Sequence, residues 1–327
     1  MQRLFHHGRW VQRRCGPTGE RTAVAVLSRC TEDPGAPARG QVLLVDEPRL
    51  LDASTARRRI AGHLTELDVS YPTAPSTPDV ALVCDAPEAA ARLSGQGVPV
   101  VYLHCRHRAT ELPAVPAVTR LVQRPDWLSA LPTRSQKALN AVQLLAPRRL
   151  TRNRSRSGCL VLVSAYEADD AERADFTDTF LRPAAAEAVR RTGHCDVVCD
   201  TGFTAVRKAL GPVAGVRVHR AADVDFDALH AAAETFLASP TLTAVSLAWA
   251  RNAPLTLLPP LGPDQRDLAD RLRRLVPIEV AEDARRPAVW TPHPGPWAPL
   301  KPDDDARREA QRIARRVRQL ALIPTAF

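Results

Sequence analysis

Two loops in the second half of the sequence carry residue types that bind anions. Ser239, Thr241 and Thr243 surround the start of one predicted helix, and Asp264 and Gln265 begin another after a proline-rich turn. Backbone N–H groups at a helix N-terminus point towards an anion, and serine or threonine hydroxyls can donate further hydrogen bonds to it. The two loops therefore predict an anion site. The same residue types also cap helices without any ligand, and that alternative stays open.

Three residues in the first half, each at the end of a predicted strand, could accept a proton: His104, Asp46 and Asp85. In open α/β sheets ligands bind beyond the carboxyl ends of the strands, so these positions face the expected ligand site. A histidine or carboxylate within reach of a reacting group acts there as a general base. His104 also shares a basic segment with His107, and basic loops of this kind are commonly solvated surface.

These candidate residues need a framework of parallel strands with helices between them. From residue 41 onward, short β-branched runs alternate with amphipathic stretches, which is the pattern of an α/β fold with parallel sheets. In the first half we expect strands at 42–45, 80–84, 98–103 and 118–122, with helices at 54–67, 87–94 and 135–145. In the second half we expect strands at 160–163, 196–198, 216–218, 235–237, 255–258 and 278–280, with helices at 176–191, 203–210, 226–233, 241–250 and 264–275. The predicted fold class is therefore α/β, with two Rossmann-like doubly wound domains.

An arginine-rich segment separates the two patterns. Residues 148–158 carry no acidic and few apolar side chains, so they cannot contribute to a core and are predicted to form an exposed linker. The predicted organisation is an N-terminal domain at 1–147, a C-terminal domain at 159–302 and a final helix at 303–327. A long surface loop within one domain is the alternative for the linker.

The end of the chain predicts a strap followed by that helix. Residues 285–302 are rich in proline and cannot continue an α-helix, so we expect an extended segment whose Trp290 and Trp297 pack on the surface they cross. In the final helix, Ile313, Val317 and Leu320 repeat at helical spacing. One face of this helix must therefore dock on another part of the protein.

Composition excludes several classes of function. The formal net charge is +9, but the arginine runs are not interleaved with aromatic residues and no nucleic-acid-binding motif appears, so we expect no nucleic-acid partner. Seven scattered cysteines without a signal peptide predict reduced, mostly buried thiols and a cytoplasmic protein. No apolar stretch approaches the length of a membrane span. Arg58 and His63, on the helix predicted at 54–67, are expected to be solvated.

The stretch from residue 236 to residue 272 resembles the nucleotide-sugar-binding half of GT-B glycosyltransferases. In that family a loop of small residues opens a helix that meets the donor diphosphate, and a proline-containing element ending in Asp-Gln or Glu-Gln contacts the donor sugar. The segment from Pro260 to Gln265 matches this element with near-family spacing. More narrowly, the chain is similar to actinobacterial proteins related to cytosylglucuronate synthase, which join a UDP-glucuronate donor to cytosine. The resemblance covers residues 160–282 well and residues 40–145 in outline.

This resemblance implies a protein that transfers a sugar from a UDP-sugar, such as UDP-glucuronate, to a small acceptor such as a nucleobase. It assigns donor binding to Ser239, Thr241, Thr243, Asp264 and Gln265, and an acceptor-side base to His104, Asp46 or Asp85. It also implies that residues 1–147 form the acceptor side and that the last helix crosses back to brace them. Neither a metal nor another cofactor is implied, because the UDP-sugar is a co-substrate and helix dipoles can stabilise the leaving diphosphate.

Two departures from the family pattern leave other functions open. The usual glycine pair at the diphosphate loop is Ser239-Pro240 here, and Pro240 has no N–H to donate. After the first strand, Asp46-Glu47-Pro48 stands in place of a glycine-containing loop. A catalytically degenerate relative that acts as a binding or accessory protein is therefore an alternative, and a different Rossmann-like protein is a third.

Overall fold

Two parallel β-sheets form the framework of the computed structural model, which describes residues 40–65, 67–71, 78–108, 118–128, 140–291, 295–300 and 308–322. The first sheet contains β1 (Gln41–Asp46), β2 (Asp68–Ser70), β3 (Val80–Cys84), β4 (Val100–His104), β5 (Val118–Gln123) and β6 (Asn140–Val142). Its strand order is β2-β1-β3-β4-β5-β6, and every neighbouring pair is parallel. The strand order therefore reverses beside β1.

The second sheet repeats this design. It contains β7 (Cys159–Val163), β8 (Cys195–Cys199), β9 (Val216–Arg220), β10 (Thr235–Ala238) and β11 (Thr256–Leu257), in the order β11-β10-β7-β8-β9. All of its pairs are parallel, and the order reverses beside β7. Two parallel sheets with intervening helices confirm the predicted fold class, and each sheet has a switch point where ligands of such folds bind.

The helices explain why the central strands consist mainly of apolar residues, with His104 in β4 and Asp196 in β8 as exceptions. The first half contains α1 (Leu51–Ala61) and α2 (Pro87–Gly95); the second contains α3 (Asp170–Phe176), α4 (Arg182–Thr192), α5 (Phe203–Leu210), α6 (Phe226–Ala232), α7 (Leu242–Ala250) and α8 (Gly262–Leu275), with α9 (Glu309–Ala321) at the end. A π-helical stretch, Thr177–Leu181, joins α3 to α4. Strands β3, β4, β7 and β8 are buried at every residue. Burial of both faces by helices favours such continuous apolar strands.

The predicted elements differ from the structure in several places. The predicted helix at 135–145 is wrong over its described part, where Asn140–Val142 pairs with β5 as an edge strand and Arg124 N donates to Val142 O at 2.8 Å. Residues 129–139 lie outside the described residues. The predicted strand at 278–280 is reduced to a single bridge between Leu257 and Val280. Helix α1 begins at Leu51 rather than residue 54, which brings Asp52 into its first turn.

The segment between the two sheets is not a free hinge. Residues 148–158 form neither helix nor strand, and their arginines at 148, 149, 154 and 156 are exposed. The backbone, however, is anchored to the second half: Asn153 N donates to Ala231 O at 2.8 Å and Ser157 N to Ala232 O at 3.1 Å. Arg251 also donates to the carbonyl of Arg149. Backbone hydrogen bonds thus order a segment that has little apolar surface of its own.

The end of the chain returns to the first sheet. Trp290 and Trp297 are buried as predicted, and their indole nitrogens donate to Ala284 O at 2.8 Å and Ala253 O at 2.7 Å. The strap is not uniformly extended, because Pro287–Trp290 and Ala298–Leu300 form short 3₁₀ turns. Residues 292–294 and 301–307 lie outside the described residues. On α9 the buried residues Ala310, Ile313, Ala314 and Val317 join the core beneath the first sheet.

Two further expectations concern cysteines and membrane spans. Five cysteines fall within the described residues, and all are free and buried: Cys84, Cys105, Cys159, Cys195 and Cys199. Among the described helices, none combines the length and the hydropathy needed to cross a membrane.

Candidate functional site

A cleft of about 420 Å³ opens where loops from the two sheets meet. The first half lines it with Leu50, Leu51 and Asp52, which follow β1, and with Arg106 and His107, which follow β4. The second half contributes Ser164, Tyr166 and Glu167 after β7, Pro240 and Thr241 after β10, and Asp264, Gln265 and Leu268 on α8. The cleft therefore lies at the carboxyl ends of the strands and beside both switch points, as expected for the ligand site of an open α/β sheet.

Three of the five residues predicted to bind a donor line this cleft: Thr241, Asp264 and Gln265. Ser239 and Thr243 lie behind it, with exposures of 1% and 3%. The Ser239 hydroxyl accepts a hydrogen bond from Ser164 N at 3.0 Å and so ties the end of β10 to the end of β7. The structure thus gives Ser239 a scaffolding contact. Binding by any of these five residues stays a prediction.

Gln265 is buried, and both ends of its amide bond within the protein. Its Oε1 accepts from Leu261 N at 3.0 Å, and its Nε2 donates to Ser164 O at 2.7 Å. These bonds fix the start of α8 against the end of β7. Thr241 is the N-cap of α7, where its hydroxyl oxygen accepts from Ala244 N at 3.1 Å. The hydroxyl proton of Thr241 can still be donated into the cleft, because a hydroxyl both donates and accepts.

The N-terminus of α7 carries a carboxylate from the other half of the protein. Asp52 Oδ1 accepts from Thr243 N at 2.8 Å, and its Oδ2 lies 3.3 Å from Leu242 N, which also donates to it. Burial raises the pKa of Asp52 to about 6, the negative charge of Asp85 adds to the rise, and the hydrogen bonds from Thr243 and Leu242 oppose it. The backbone N–H groups expected to meet an anion therefore already bind one.

The N-terminus of α8 is also capped by a carboxylate, in this case one from its own half of the protein. Glu167 Oε2 accepts from Asp264 N at 3.1 Å. Gly262 makes this approach possible, because its φ of +80° favours glycine and a Cβ there would lie 2.6 Å from the Glu167 side chain. Burial raises the pKa of Glu167, although Arg106 lowers it. Both helix N-termini in the cleft are thus capped by carboxylates of this chain.

Arg106 joins the acidic groups across the cleft. Its guanidinium lies 3.5 Å from Glu167 Oε1 and 3.2 Å from Asp264 Oδ2. It also lies over the ring of Tyr166, 5.9 Å from the ring centroid, and Arg49 lies over the same ring at 5.4 Å. Asp264 is therefore held as an ion-pair partner of the first half, and Tyr166 forms an aromatic wall flanked by two guanidinium groups.

None of the three predicted base candidates lines the cleft. His104 is 2% exposed; its Nδ1 contacts Asp85 Oδ1 at 2.8 Å, and its Nε2 lies 2.9 Å from Arg108 O. Burial lowers the pKa of His104, but the contact with Asp85 outweighs burial and raises it overall. Both ring nitrogens are used to hold the loop after β4. Asp46 pairs with Arg57 at 3.0 Å, away from the cleft.

His107 is better placed than His104 to accept a proton. It lines the cleft, and its Nε2 lies 3.1 Å from Asp267 Oδ2 on α8. Burial lowers the pKa of His107, although Asp264 and Asp267 oppose this, so the ring is neutral near neutral pH. A neutral ring that donates from Nε2 to Asp267 keeps a lone pair on Nδ1. The sequence placed His107 in the same basic segment as His104 but gave no reason to prefer it.

Helix α1 holds the two halves together beside the cleft. Arg59 donates to Asp227 at 2.7 Å and to Ser246 Oγ at 2.6 Å, and it also bonds Leu145 O. Arg58, which was predicted to be solvated, donates to the carbonyls of Val224 and Ala221. That prediction was wrong because the second half of the protein covers the side of α1 on which Arg58 lies. His63, predicted likewise, is partly exposed.

Sequence reasoning assigned no role to Asp52, Glu167 or Arg106. Each lies in a loop or first helical turn at the carboxyl end of a strand, which is the only signal that could have indicated them. Within the described residues, no group of three or more histidine, cysteine, aspartate or glutamate side chains could hold a metal ion.

Comparison with protein-family models gives a match over most of the chain. The family model described as CGA synthase-related protein matches residues 42–325. A comparison with curated protein sequences finds no match.

Solved structures of low sequence identity also align with the chain. MurG from Acinetobacter baumannii is 12% identical, with 86% of this chain and 99% of that chain covered and a TM-score of 0.44. The glycosyltransferase SnogD from Streptomyces nogalater is 16% identical, with 86% and 95% covered and a TM-score of 0.45. The spinosyn rhamnosyltransferase SpnG is 14% identical, with 85% and 96% covered and a TM-score of 0.46.

Proposed function

The chain belongs to the CGA synthase-related family, and on that premise we propose that it is a glycosyltransferase-like protein that binds a UDP-sugar in the cleft between its two halves. One observation carries this proposal: the loops after β7 and β10 and the start of α8 meet in a cleft that the first half closes from the opposite side. Thr241 at the start of α7 and Asp264 in the first turn of α8 both line this cleft. A donor and an acceptor held from opposite sides of one cleft would be oriented for transfer.

The proposed reaction gives each side of the cleft a role. The diphosphate lies towards α7, where the hydroxyl of Thr241 donates to a phosphate oxygen, and the donor sugar lies towards Asp264. A small acceptor, such as a nucleobase, lies against Leu50 and His107. The acceptor atom forms a bond to the anomeric carbon of the sugar while the bond from that carbon to the phosphate oxygen breaks. His107 accepts the acceptor's proton, and UDP leaves.

The experiment that tests this proposal separates binding from transfer. Calorimetry with UDP and UDP-glucuronate measures binding to the full chain, and a coupled assay measures UDP release with and without a nucleobase such as cytosine. We expect binding of both nucleotides and acceptor-dependent UDP release. If no uridine nucleotide binds at millimolar concentration, the proposed donor site is wrong.

A second candidate function is a catalytically degenerate relative that binds a ligand without transferring a sugar. Two observations favour it: both nitrogens of His104 are used inside the protein, and Asp52 and Glu167 occupy the helix N–H groups of the cleft. Under this alternative, UDP-glucuronate binds but no acceptor produces UDP. In either case we propose a cytoplasmic location, since the five described cysteines are free and buried.

A further inference from the structure

The cleft is more acidic than a site for a diphosphate should be. Its described lining holds the carboxylates of Asp52, Glu167 and Asp264 but the guanidinium of Arg106 alone, and His107 is neutral near neutral pH. Two of these carboxylates, Asp52 and Glu167, hydrogen-bond backbone N–H groups that an incoming phosphate would need. A phosphate that entered the cleft would be repelled strongly by these carboxylates, because like charges that are partly removed from water interact strongly.

Asp52 is held in place by a helix rather than by a flexible loop. It lies seven residues before Arg59 on α1, about two helical turns, so both side chains emerge from the same face. Arg59 is buried against Asp227 and against Ser246 of α7, while Asp52 contacts Leu242 and Thr243 at the start of α7. Withdrawing Asp52 from the cleft by moving α1 would therefore break the buried Arg59 bonds.

We propose that Asp52 is the specificity-determining residue of the cleft, and that its negative charge, held at the N–H groups of Leu242 and Thr243, repels anionic ligands from the start of α7. A diphosphate binds well at this position only when the Asp52 carboxyl is neutral, whereas an uncharged ligand of similar size is indifferent to it. This inference rests on the proposed function, because it assumes that a nucleotide enters the cleft. It extends that function by making donor binding depend on the charge of one side chain.

The direction of the pH dependence follows from the groups that face Asp52. Leu242 and Thr243 of α7 donate to it, Asp85 after β3 adds negative charge, and Arg106, His107, Glu167 and Asp264 share the cleft. With its pKa raised to about 6, Asp52 is charged at pH 7.5 and mostly neutral at pH 5. Anion affinity should therefore rise as the pH falls through about 6.

The test compares the full-length wild type with Asp52→Asn, using UDP-glucuronate and uridine as probes in calorimetry at pH 7.5 and pH 5. UDP-glucuronate keeps its phosphate charges over this range, and uridine has none. We expect Asp52→Asn to bind UDP-glucuronate at least about tenfold more tightly than the wild type at pH 7.5. The affinity of the wild type for UDP-glucuronate should rise by a similar factor between pH 7.5 and pH 5. The affinity of either protein for uridine, and that of the variant for UDP-glucuronate, should change little over the same range.

Asp225→Asn is the matched control, because Asp225 also caps a helix, accepting from Ala228 N at 3.0 Å, but lies outside the cleft lining. It should behave like the wild type. Equal UDP-glucuronate affinity in wild type and Asp52→Asn, without pH dependence, overturns the inference and leaves the proposed donor site standing. Binding by the variant alone supports the inference and refutes donor binding by the wild type at neutral pH. Absence of binding in both folded proteins overturns both. If Asp52→Asn does not fold, the pH series is run on the wild type and on His107→Asn: a gain in UDP-glucuronate affinity at pH 5 that persists in His107→Asn supports the inference, and its loss there overturns it.

Discussion

Asp52 Oδ1 lies 2.8 Å from the backbone nitrogen of Thr243, 191 residues later in the chain. This hydrogen bond joins the first turn of α1 in one half to the first turn of α7 in the other. It places a carboxylate of the protein where the sequence predicted an external anion. Its effect on the free energy of unfolding can be measured without any ligand.

The charge of Asp52 should make stability depend on pH. Its pKa is about 6 in the folded state, against about 3.9 for an unfolded aspartate, so between these values the folded state binds the extra proton. Stability from this group is present below pH 4 and is lost as the pH rises through 6, by up to about 2 to 3 kcal/mol. Urea denaturation at pH 4, 5, 6 and 7 should show this loss in the wild type and not in Asp52→Asn. If the free energy of unfolding depends on pH in the same way in both proteins, this prediction is wrong.

Removing Arg59 should strongly destabilise the protein. Its guanidinium is buried between Asp227, Ser246 and Leu145, so Arg59→Ala leaves the Asp227 carboxylate without its charged partner. We expect a loss of about 3 kcal/mol in the free energy of unfolding, measured by urea denaturation. Arg92→Ala, at an exposed position of α2, is the control and should change stability by less than about 0.5 kcal/mol. A similar small effect for Arg59→Ala would show that α1 does not hold the halves together.

Nucleotide affinity should distinguish Thr241 from Asp264. Thr241→Ala removes a hydroxyl assigned to the diphosphate, so it should weaken UDP and UDP-glucuronate alike, by about tenfold. Asp264→Ala should weaken UDP-glucuronate relative to UDP by about tenfold, because Asp264 is assigned to the sugar while the loss of its charge acts on the diphosphate of both ligands alike. Asp270→Ala, exposed on the same helix, controls for general effects on α8. If calorimetry finds both variants unchanged, the two residues do not bind the donor.

Transfer should depend on His107 rather than on His104. If His107 accepts the acceptor's proton, His107→Asn should lower kcat by about a hundredfold or more while leaving UDP-glucuronate affinity nearly unchanged. Because burial lowers the pKa of His107, the wild-type rate should fall only at pH values below the usual histidine range. His219→Asn is the matched control, since His219 also pairs with an aspartate, Asp196, at 2.8 Å. Loss of binding together with kcat would instead indicate a structural role.

The last helix should contribute to the stability of the first half. Ile313 is 2% exposed and packs in the same core as Val42 and Leu82, so Ile313→Ala should cost about 2 to 4 kcal/mol. Arg316→Ala, on the exposed face of α9, should have almost no effect. Thermal denaturation checks both. Unchanged melting of Ile313→Ala would mean that α9 is a peripheral tail.

Local patterns determined most of the framework. The apolar runs at residues 80–84 and 160–163 predicted buried parallel strands, and the helix at Phe203–Leu210 was predicted with its observed bounds. The two small-residue loops were also placed correctly at helix starts, because strand length, helix periodicity and capping depend on neighbouring residues. The position of the cleft at the carboxyl ends of the strands agrees with the general behaviour of parallel sheets.

The sequence by itself therefore determined two α/β halves, each with a sheet of parallel strands, and the loops at the carboxyl ends of those strands. The contacts that the residues of these loops make were decided only by the tertiary structure. Asp52 accepts a hydrogen bond from Thr243, and Arg59 donates one to Ser246. The amide of Gln265 bonds Leu261 and Ser164 inside the protein. Most of these pairs are separated by about a hundred residues or more, so the identity of each partner, and with it burial and charge, is set by how the two sheets pack and not by any local pattern.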